Sequence, residues 1–152
     1  MGTSEYDSDF VLWSEHQADA LRHRANDEID WENVAGEIAS LGKKDRCELA
    51  KRIQLVLEHL IRLQASSAID PRRVWESTIS EQRHQIRMLI ADSPSLQPEV
   101  AGIIAGQLPT ACLFALLSLK QHGETPQVVM ELLTFSETDV LGEDQSASYA
   151  RV

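Results

Sequence analysis

The feature that most constrains the fold of this chain is a long apolar stripe in its middle third. In residues 43–64, leucine, isoleucine and valine recur at spacings of three and four residues. The members of this stripe are Leu49, Ile53, Val56, Leu57, Leu60 and Leu63. Side chains at these spacings lie on one face of an α-helix, whereas a strand would place them on alternate faces. The stripe therefore predicts a long amphipathic helix that other elements cover along one side.

Two shorter helices are predicted before this one. The first begins at Ser8 or Asp9, whose short oxygen-bearing side chains cap free backbone N–H groups, and its apolar pattern fades near residue 26. The second is capped by Asp30 and ends at Gly42, because glycine is favoured just past the last helical residue. The apolar residues that define its predicted inward face are Trp31, Val34, Ile38 and Leu41.

Two further long helices are predicted after Pro71, since the residue before a proline is disfavoured in the helical region. They cover about residues 74–91 and 95–122, with short helical turns after them at residues 128–133 and 136–141. Pro109 lies inside the second long helix and predicts a kink there. That helix has apolar residues beyond its inward stripe, namely Ala101, Leu113, Phe114 and Leu117. These additional apolar residues indicate a second apolar surface on the helix, and a second copy of the chain that covers it would form a homodimer.

The predicted fold class is all-α, because no segment shows the sustained alternation of polar and apolar residues that is typical of a strand. The architecture is expected to be a helical bundle of three long helices plus shorter N- and C-terminal helices. No repeat or linker divides the chain, so residues 1–152 are expected to form a single helical domain. Residues 1–7 and 142–152 are expected to be frayed ends.

The net charge and the apolar pattern of the chain limit the classes of partner that it is expected to bind. It has 24 acidic and 14 basic side chains, a net charge of −10, which repels a phosphate backbone and argues against nucleic acid as a partner. No apolar run approaches the length that spans a bilayer, and the N-terminus lacks a signal pattern, so no membrane partner is expected. Two cysteines, Cys47 and Cys112, are too few for a disulfide framework and indicate a reducing cytoplasm.

Five ordered motifs connect the chain to a known family. They are Tyr6-Asp7-x-Asp9-Phe10-x-x-Trp13-x-x-x-Gln17-Ala18, Ile29-Asp30-x-x-Asn33-Val34-x-x-Glu37-Ile38-x-Ser40-Leu41-Gly42, Leu57-x-His59-Leu60-x-Arg62, Trp75-x-x-Thr78-Ile79-x-x-Gln82-Arg83-x-x-Ile86 and Ser93-Pro94-Ser95-Leu96. Over residues 6–120 the chain resembles a bacterial family numbered twenty-nine among the domains of unknown function. It departs from the family pattern at Gly36, where a glutamate is usual. The resemblance implies an all-α fold and no activity.

Four polar side chains lie on or beside predicted apolar faces, and they are the candidate site residues. Glu37 shares its face with Val34 and Leu41, and the other three are His59, Gln82 and Arg83. Charged groups at such positions are costly unless they are paired.

Two interpretations of these four residues remain open. In the first, they form a structural polar network, with Arg83 in a salt bridge to Glu37 and His59 bonded to a nearby carbonyl or carboxylate. In the second, they line the pocket of a small enzyme or ligand-binding protein. Glu37 and His59 would then act as acid and base, and Arg83 would bind an anionic group.

The chain contains no complete catalytic, phosphate-binding or metal-binding motif. Glu81-x-x-His84 matches one half of a di-iron ligand pattern without the other half, so neither a metal nor a cofactor is expected. The leading hypothesis is therefore a non-enzymatic helical domain that binds an unknown protein partner or itself. The alternatives are the enzyme or ligand-binding protein just described, and an acidic mimic of nucleic acid. The last rests only on the first fifty residues, which hold 12 acids and 5 bases.

Overall fold

The computed structural model describes residues 2–142, and over that range the chain is helical and contains no strand. Its α-helices are α1 (Glu5–Ser8), α2 (Phe10–Arg22), α3 (Trp31–Ala65), α4 (Arg72–Asp92), α5 (Val100–Gln121) and α6 (Glu137–Leu141). Short 3₁₀ helices lie at Asn26–Glu28, Pro94–Glu99 and Met130–Leu132. The predicted all-α fold with long helices and shorter terminal helices is confirmed.

The chain divides into two compact units, the first ending at Lys44 and the second beginning at Asp45. The first unit contains α1, α2 and the beginning of α3, and the second contains the rest of α3 with α4, α5 and α6. The prediction that residues 1–152 form a single domain stays a prediction.

The core of the second unit is built on the predicted stripe of α3. Leu49, Ile53, Val56 and Leu57 are fully buried there, as the three- and four-residue spacing requires. The residues of the other elements that complete this core are Ile79 and Ile86 of α4, Leu96, the inward face of α5, and Val140 of α6. Burial of one continuous apolar cluster is what holds these helices together.

The two helices predicted on either side of Gly42 are a single helix, so the predicted stop at this glycine is wrong. A glycine inside a helix costs about 1 kcal/mol relative to alanine. That penalty is too small to end a helix with good helix formers on both sides, such as Leu41 and Lys43. The inward face predicted for the first of them is also wrong, since Trp31, Ile38 and Leu41 are exposed.

One other expectation about helix limits differs from the structure. Residues 5–7, expected to be frayed, belong to α1, which Ser4 caps through its side chain. Pro109 lies inside α5 on the exposed side, and the kink predicted there stays a prediction. Of the C-terminal segment expected to be frayed, only Gly142 lies within the described residues.

Candidate functional site

Glu37 lies in the first unit, half-buried on α3, where it accepts a hydrogen bond from the Tyr6 hydroxyl. This bond raises the pKa of Tyr6, because an ionised phenolate would lose it. The Tyr6 ring also packs edge-on against Phe10 and Trp13, with ring centroids 5.8 and 4.7 Å away. Glu37 therefore helps to position α1.

A second set of motif residues fastens α2 to the beginning of α3. Gln17 donates to the carbonyl of Glu28 at 3.2 Å and accepts from the backbone N–H of Asp30 at 2.7 Å. The Asp30 carboxylate accepts from the side chain of Asn33 at 2.8 Å and from the indole of Trp13 at 3.3 Å. The bond from Asn33 lowers the pKa of Asp30, since it favours the charged form. Sequence reasoning missed these residues as a cluster, although the family motifs contain all of them except Glu28.

His59 is buried on α3 in the second unit, and its Nδ1 lies 2.8 Å from the carbonyl oxygen of Leu55. Burial lowers the pKa of His59, and the positive charge of Arg62 lowers it further, while the bond to Leu55 acts in the opposite direction. Its neighbour Glu58 is also buried, and burial raises the pKa of that carboxyl against the attraction of Arg62. Folding therefore shifts the pKa of each side chain in the direction that favours its neutral form.

We expect the protein to lose stability through His59 as the pH falls below 6.5, the ordinary pKa of histidine. Because folding lowers this pKa, the unfolded chain takes up a proton first on acidification, and proton uptake favours unfolding. The contribution is complete above pH 6.5 and is lost as the pH falls towards the lowered value. The His59→Gln variant replaces the imidazole with a polar amide that does not titrate. Its melting temperature should therefore depend less on pH between about 7 and 5.

Glu58 serves as a control, because its effect on stability changes with pH in the opposite direction to that of His59. Its raised pKa stabilises the fold below 4.5, the ordinary value, and that contribution is lost as the pH rises through the raised value. Glu58→Gln removes this opposing effect, so its melting temperature should fall more steeply on acidification than that of the wild type. A His59→Gln variant with the wild-type pH profile would contradict the assignment.

Gln82, on α4, accepts a hydrogen bond from Arg52 Nη1 at 3.0 Å. Arg52 also donates to Glu48, one turn earlier on α3, at 2.8 Å. The three side chains form a small polar bridge between α3 and α4 at a half-exposed surface, where ion pairs contribute little to stability.

Arg83 binds backbone rather than a carboxylate. Its Nη2 donates to the carbonyl of Asp139 at 2.6 Å and its Nε to the carbonyl of Val140 at 3.2 Å, so it anchors α6. Glu37 and Arg83 each have partners within their own unit, and the salt bridge predicted between them stays a prediction. Among the three candidate residues of the second unit, His59, Gln82 and Arg83, no hydrogen bond joins one to another in the described part of the chain.

A cavity of about 820 Å³ lies in the second unit, where the ends of α3 and α5 meet the beginning of α4. Arg62, Asp70, Trp75, Leu119 and Glu124 are among its lining residues. The Nε atom of Arg62 is shielded from solvent and has no hydrogen-bond partner among the described residues. Sequence reasoning did not select this group, although Arg62 and Trp75 both occur in the family motifs.

The side of α5 that faces away from the core is apolar and exposed. At 100° per residue, five residues lie opposite the buried side, and we call them the outward face: Gly102, Gly106, Pro109, Leu113 and Leu117. Leu113 and Leu117 are 53% and 45% exposed, and Phe114 beside them is 44% exposed. The apolar surplus predicted from the sequence is therefore at the surface.

Two details of the outward face suit a close approach by another helix. A Cβ atom added at Gly102 or Gly106 would meet no atom within 4 Å, so the backbone is open there. Beside the face lies an open groove of about 390 Å³, lined by Pro109, Leu113 and Met130 among others. No charged residue occurs between Val100 and Leu119.

The segment Pro94–Gln121 contains an 18-residue window of mean hydropathy 1.9, of which 22% is buried. By length and composition alone it passes as a membrane-spanning helix, which corrects the expectation that no run in the chain does. In the described part of the chain, no group of three or more His, Cys, Asp or Glu side chains could hold a metal ion.

A family model, described as Domain of unknown function DUF29, matches residues 5–143. The match extends beyond residues 6–120, over which the motifs carry the resemblance, and includes all six α-helices. No curated protein and no solved structure matches the chain.

Proposed function

The chain belongs to the DUF29 family, whose description assigns no activity, and we propose that it is a non-enzymatic helical domain that self-associates through α5. The partner is a second copy of the chain, bound face to face at the outward face. One observation carries the proposal: this face is apolar, exposed and without charge over most of a 22-residue helix.

Charge favours this face over the rest of the surface for pairing two copies. Each chain carries a net charge of −10, so two copies repel each other at most orientations. The outward face has no charged side chain, and pairing there removes apolar surface from water without burying an unpaired charge. A two-fold pair also uses the same patch on both subunits, which needs only one self-complementary surface.

The shape of the face supports a helix pair of modest strength. Open backbone at Gly102 and Gly106 allows two helices to approach closely, and the adjacent groove has room for a leucine of the second copy. A helix of 22 residues is about 33 Å long. A strip of that length and one helix wide, about 10 Å, buries about 660 Å² over the two copies, which is less than the roughly 1,200 Å² of the smaller stable interfaces. The dimer should therefore be reversible.

The candidate residues of the second unit give the enzyme or ligand-binding alternative less support. Gln82 bridges two helices and Arg83 anchors α6, and neither is hydrogen-bonded to His59. The proposal includes a bacterial cytoplasmic location, in line with the family resemblance and with Cys47 and Cys112, which form no disulfide.

Light scattering after size exclusion tests the proposal at a series of concentrations. We expect a monomer of 17.0 kDa when dilute and a growing dimer fraction at tens of micromolar and above. Leu113→Glu places a charge on the outward face and should weaken the dimer by roughly tenfold or more, since an unpaired charge at an apolar interface is costly. Leu113 is exposed, so folding should be unaffected.

Val74→Glu is the matched control, because Val74 is 65% exposed on α4 and is not part of the outward face. It makes the same kind of change and should leave the dimer intact. A chain that stays monomeric at every concentration, or equal weakening by both variants, would overturn the proposal. Co-sedimentation with neutral phosphatidylcholine vesicles tests whether the outward face binds a lipid bilayer and not a second copy of the chain. Binding by the wild type that Leu113→Glu abolishes would assign the face to a bilayer instead.

A further inference from the structure

We propose that the cavity at the end of α3 binds a small amphipathic zwitterion of the class of apolar or aromatic amino acids. The inference concerns a different part of the second unit from the outward face and does not depend on self-association. It rests on four features of the cavity: its size, its fixed walls, an unpartnered guanidinium nitrogen, and the mixture of charges around an aromatic ring.

The cavity is of the right size and is largely preformed. Its volume of about 820 Å³ is within the usual range of small-molecule sites. Hydrogen bonds hold its rim: Ser66 donates to Glu124 at 2.6 Å, and the Gln127 N–H donates to the Ala65 carbonyl at 2.8 Å. Arg72 donates to the Leu63 carbonyl at 2.8 Å. A ligand would therefore bind without first ordering these loops.

Arg62 provides an unpaired charged group to which a ligand would bind. No carboxylate in the described residues pairs with it, and its shielded Nε has no acceptor. A guanidinium is best satisfied by two parallel bonds to one carboxylate. Arg62 lines the cavity and its terminal nitrogens have no hydrogen-bond partner among the described residues, so a carboxylate that enters the cavity would bind them.

The remaining lining residues indicate which chemical groups the ligand has besides a carboxylate. Asp70 and Glu124 place two carboxylates on the same cavity, which would repel a simple anion and attract an ammonium group. Trp75 and Leu119 offer apolar surface between these charges. A molecule with a carboxylate, an ammonium group and an apolar body matches all three, and a free amino acid with an apolar side chain is the simplest such molecule.

Three probes of the same shape separate these contributions by isothermal titration calorimetry with the full chain. L-Phenylalanine carries both charged groups, 3-phenylpropionate only the carboxylate, and phenethylamine only the ammonium group. We expect phenylalanine to bind most tightly and each single-charge probe more weakly. Arg62→Gln should weaken phenylalanine and 3-phenylpropionate by roughly ten- to a hundredfold, as expected for loss of a charge-assisted hydrogen bond.

Asp70→Asn supplies a second variant that cannot act through folding, because Asp70 is exposed. It should weaken phenylalanine and phenethylamine and leave 3-phenylpropionate unchanged. Arg73→Gln is the matched control, since Arg73 is exposed and does not line the cavity, and it should change nothing. Absence of phenylalanine binding, equal binding of all three probes, or phenylalanine binding that Arg62→Gln leaves unaltered in a folded protein would each overturn the proposal.

Discussion

Replacing Leu57 with alanine is expected to lower the free energy of unfolding by about 2–5 kcal/mol. Leu57 is fully buried on α3, in the middle of the cluster that α4, α5 and α6 complete. Truncation removes three carbons from a closely packed interior, and the loss includes both the transfer free energy of those atoms and the cavity they leave. Urea unfolding followed by circular dichroism measures the change.

Leu132→Ala is the matched control for this prediction, because the same truncation is made where the side chain is 77% exposed. It should change the free energy of unfolding by less than about 0.5 kcal/mol. If the two variants were equally stable, the core described for the second unit would not be the one that holds the protein in solution.

Replacing Arg83 with methionine is expected to release α6 from the rest of the second unit. The substitution keeps much of the apolar stem but removes the donors that bind the carbonyls of Asp139 and Val140. Hydrogen bonds from a charged group contribute more than neutral ones, and the loss should be about 1.5–3 kcal/mol of local stability. Hydrogen exchange of residues 136–142 should therefore accelerate by roughly ten- to a hundredfold.

Two measurements distinguish this anchoring from a general loss of stability. Exchange in the middle of α3, at Leu57 for example, should change much less than exchange in α6, because local opening does not need global unfolding. Arg73→Met, an exposed position on the same helix, should leave α6 protected. Arg87 also donates to the carbonyl of Leu141 at 2.6 Å. Unchanged exchange in α6 of the Arg83→Met variant would show that this bond and the burial of Val140 suffice to hold the helix.

The candidate site residues show what can be predicted from the helix face on which a residue lies. It correctly indicated that His59 and Arg83 are not freely solvated, since His59 is buried and Arg83 is half-buried. It did not find the partner that Arg83 has within the second unit, because the face of a helix says nothing about which distant segment covers it. The partner is a backbone carbonyl 57 residues away, in a five-residue helix. Every residue has such a carbonyl, so the sequence does not single this one out.

The cavity at Arg62 was not predictable for a related reason. In the sequence, Arg62 and Trp75 are distinguished only as members of motifs. They lie on different helices, α3 and α4, which a loop joins. Their approach depends on the bonds that Arg72, Ser66 and Gln127 make around that loop. These bonds are specific side-chain and backbone geometries, and no local pattern specifies them.

What the sequence by itself determined is the local structure: the all-α class, the long helices, the stripe of α3 and the apolar surplus of α5. These follow from periodicity, capping and proline chemistry within a few turns of the chain. Only the tertiary structure decided that α3 continues through Gly42, which side of α5 stays exposed and what Arg83 holds. Such features depend on which surfaces meet across the chain, and the free energy of those contacts outweighs local preferences of about 1 kcal/mol.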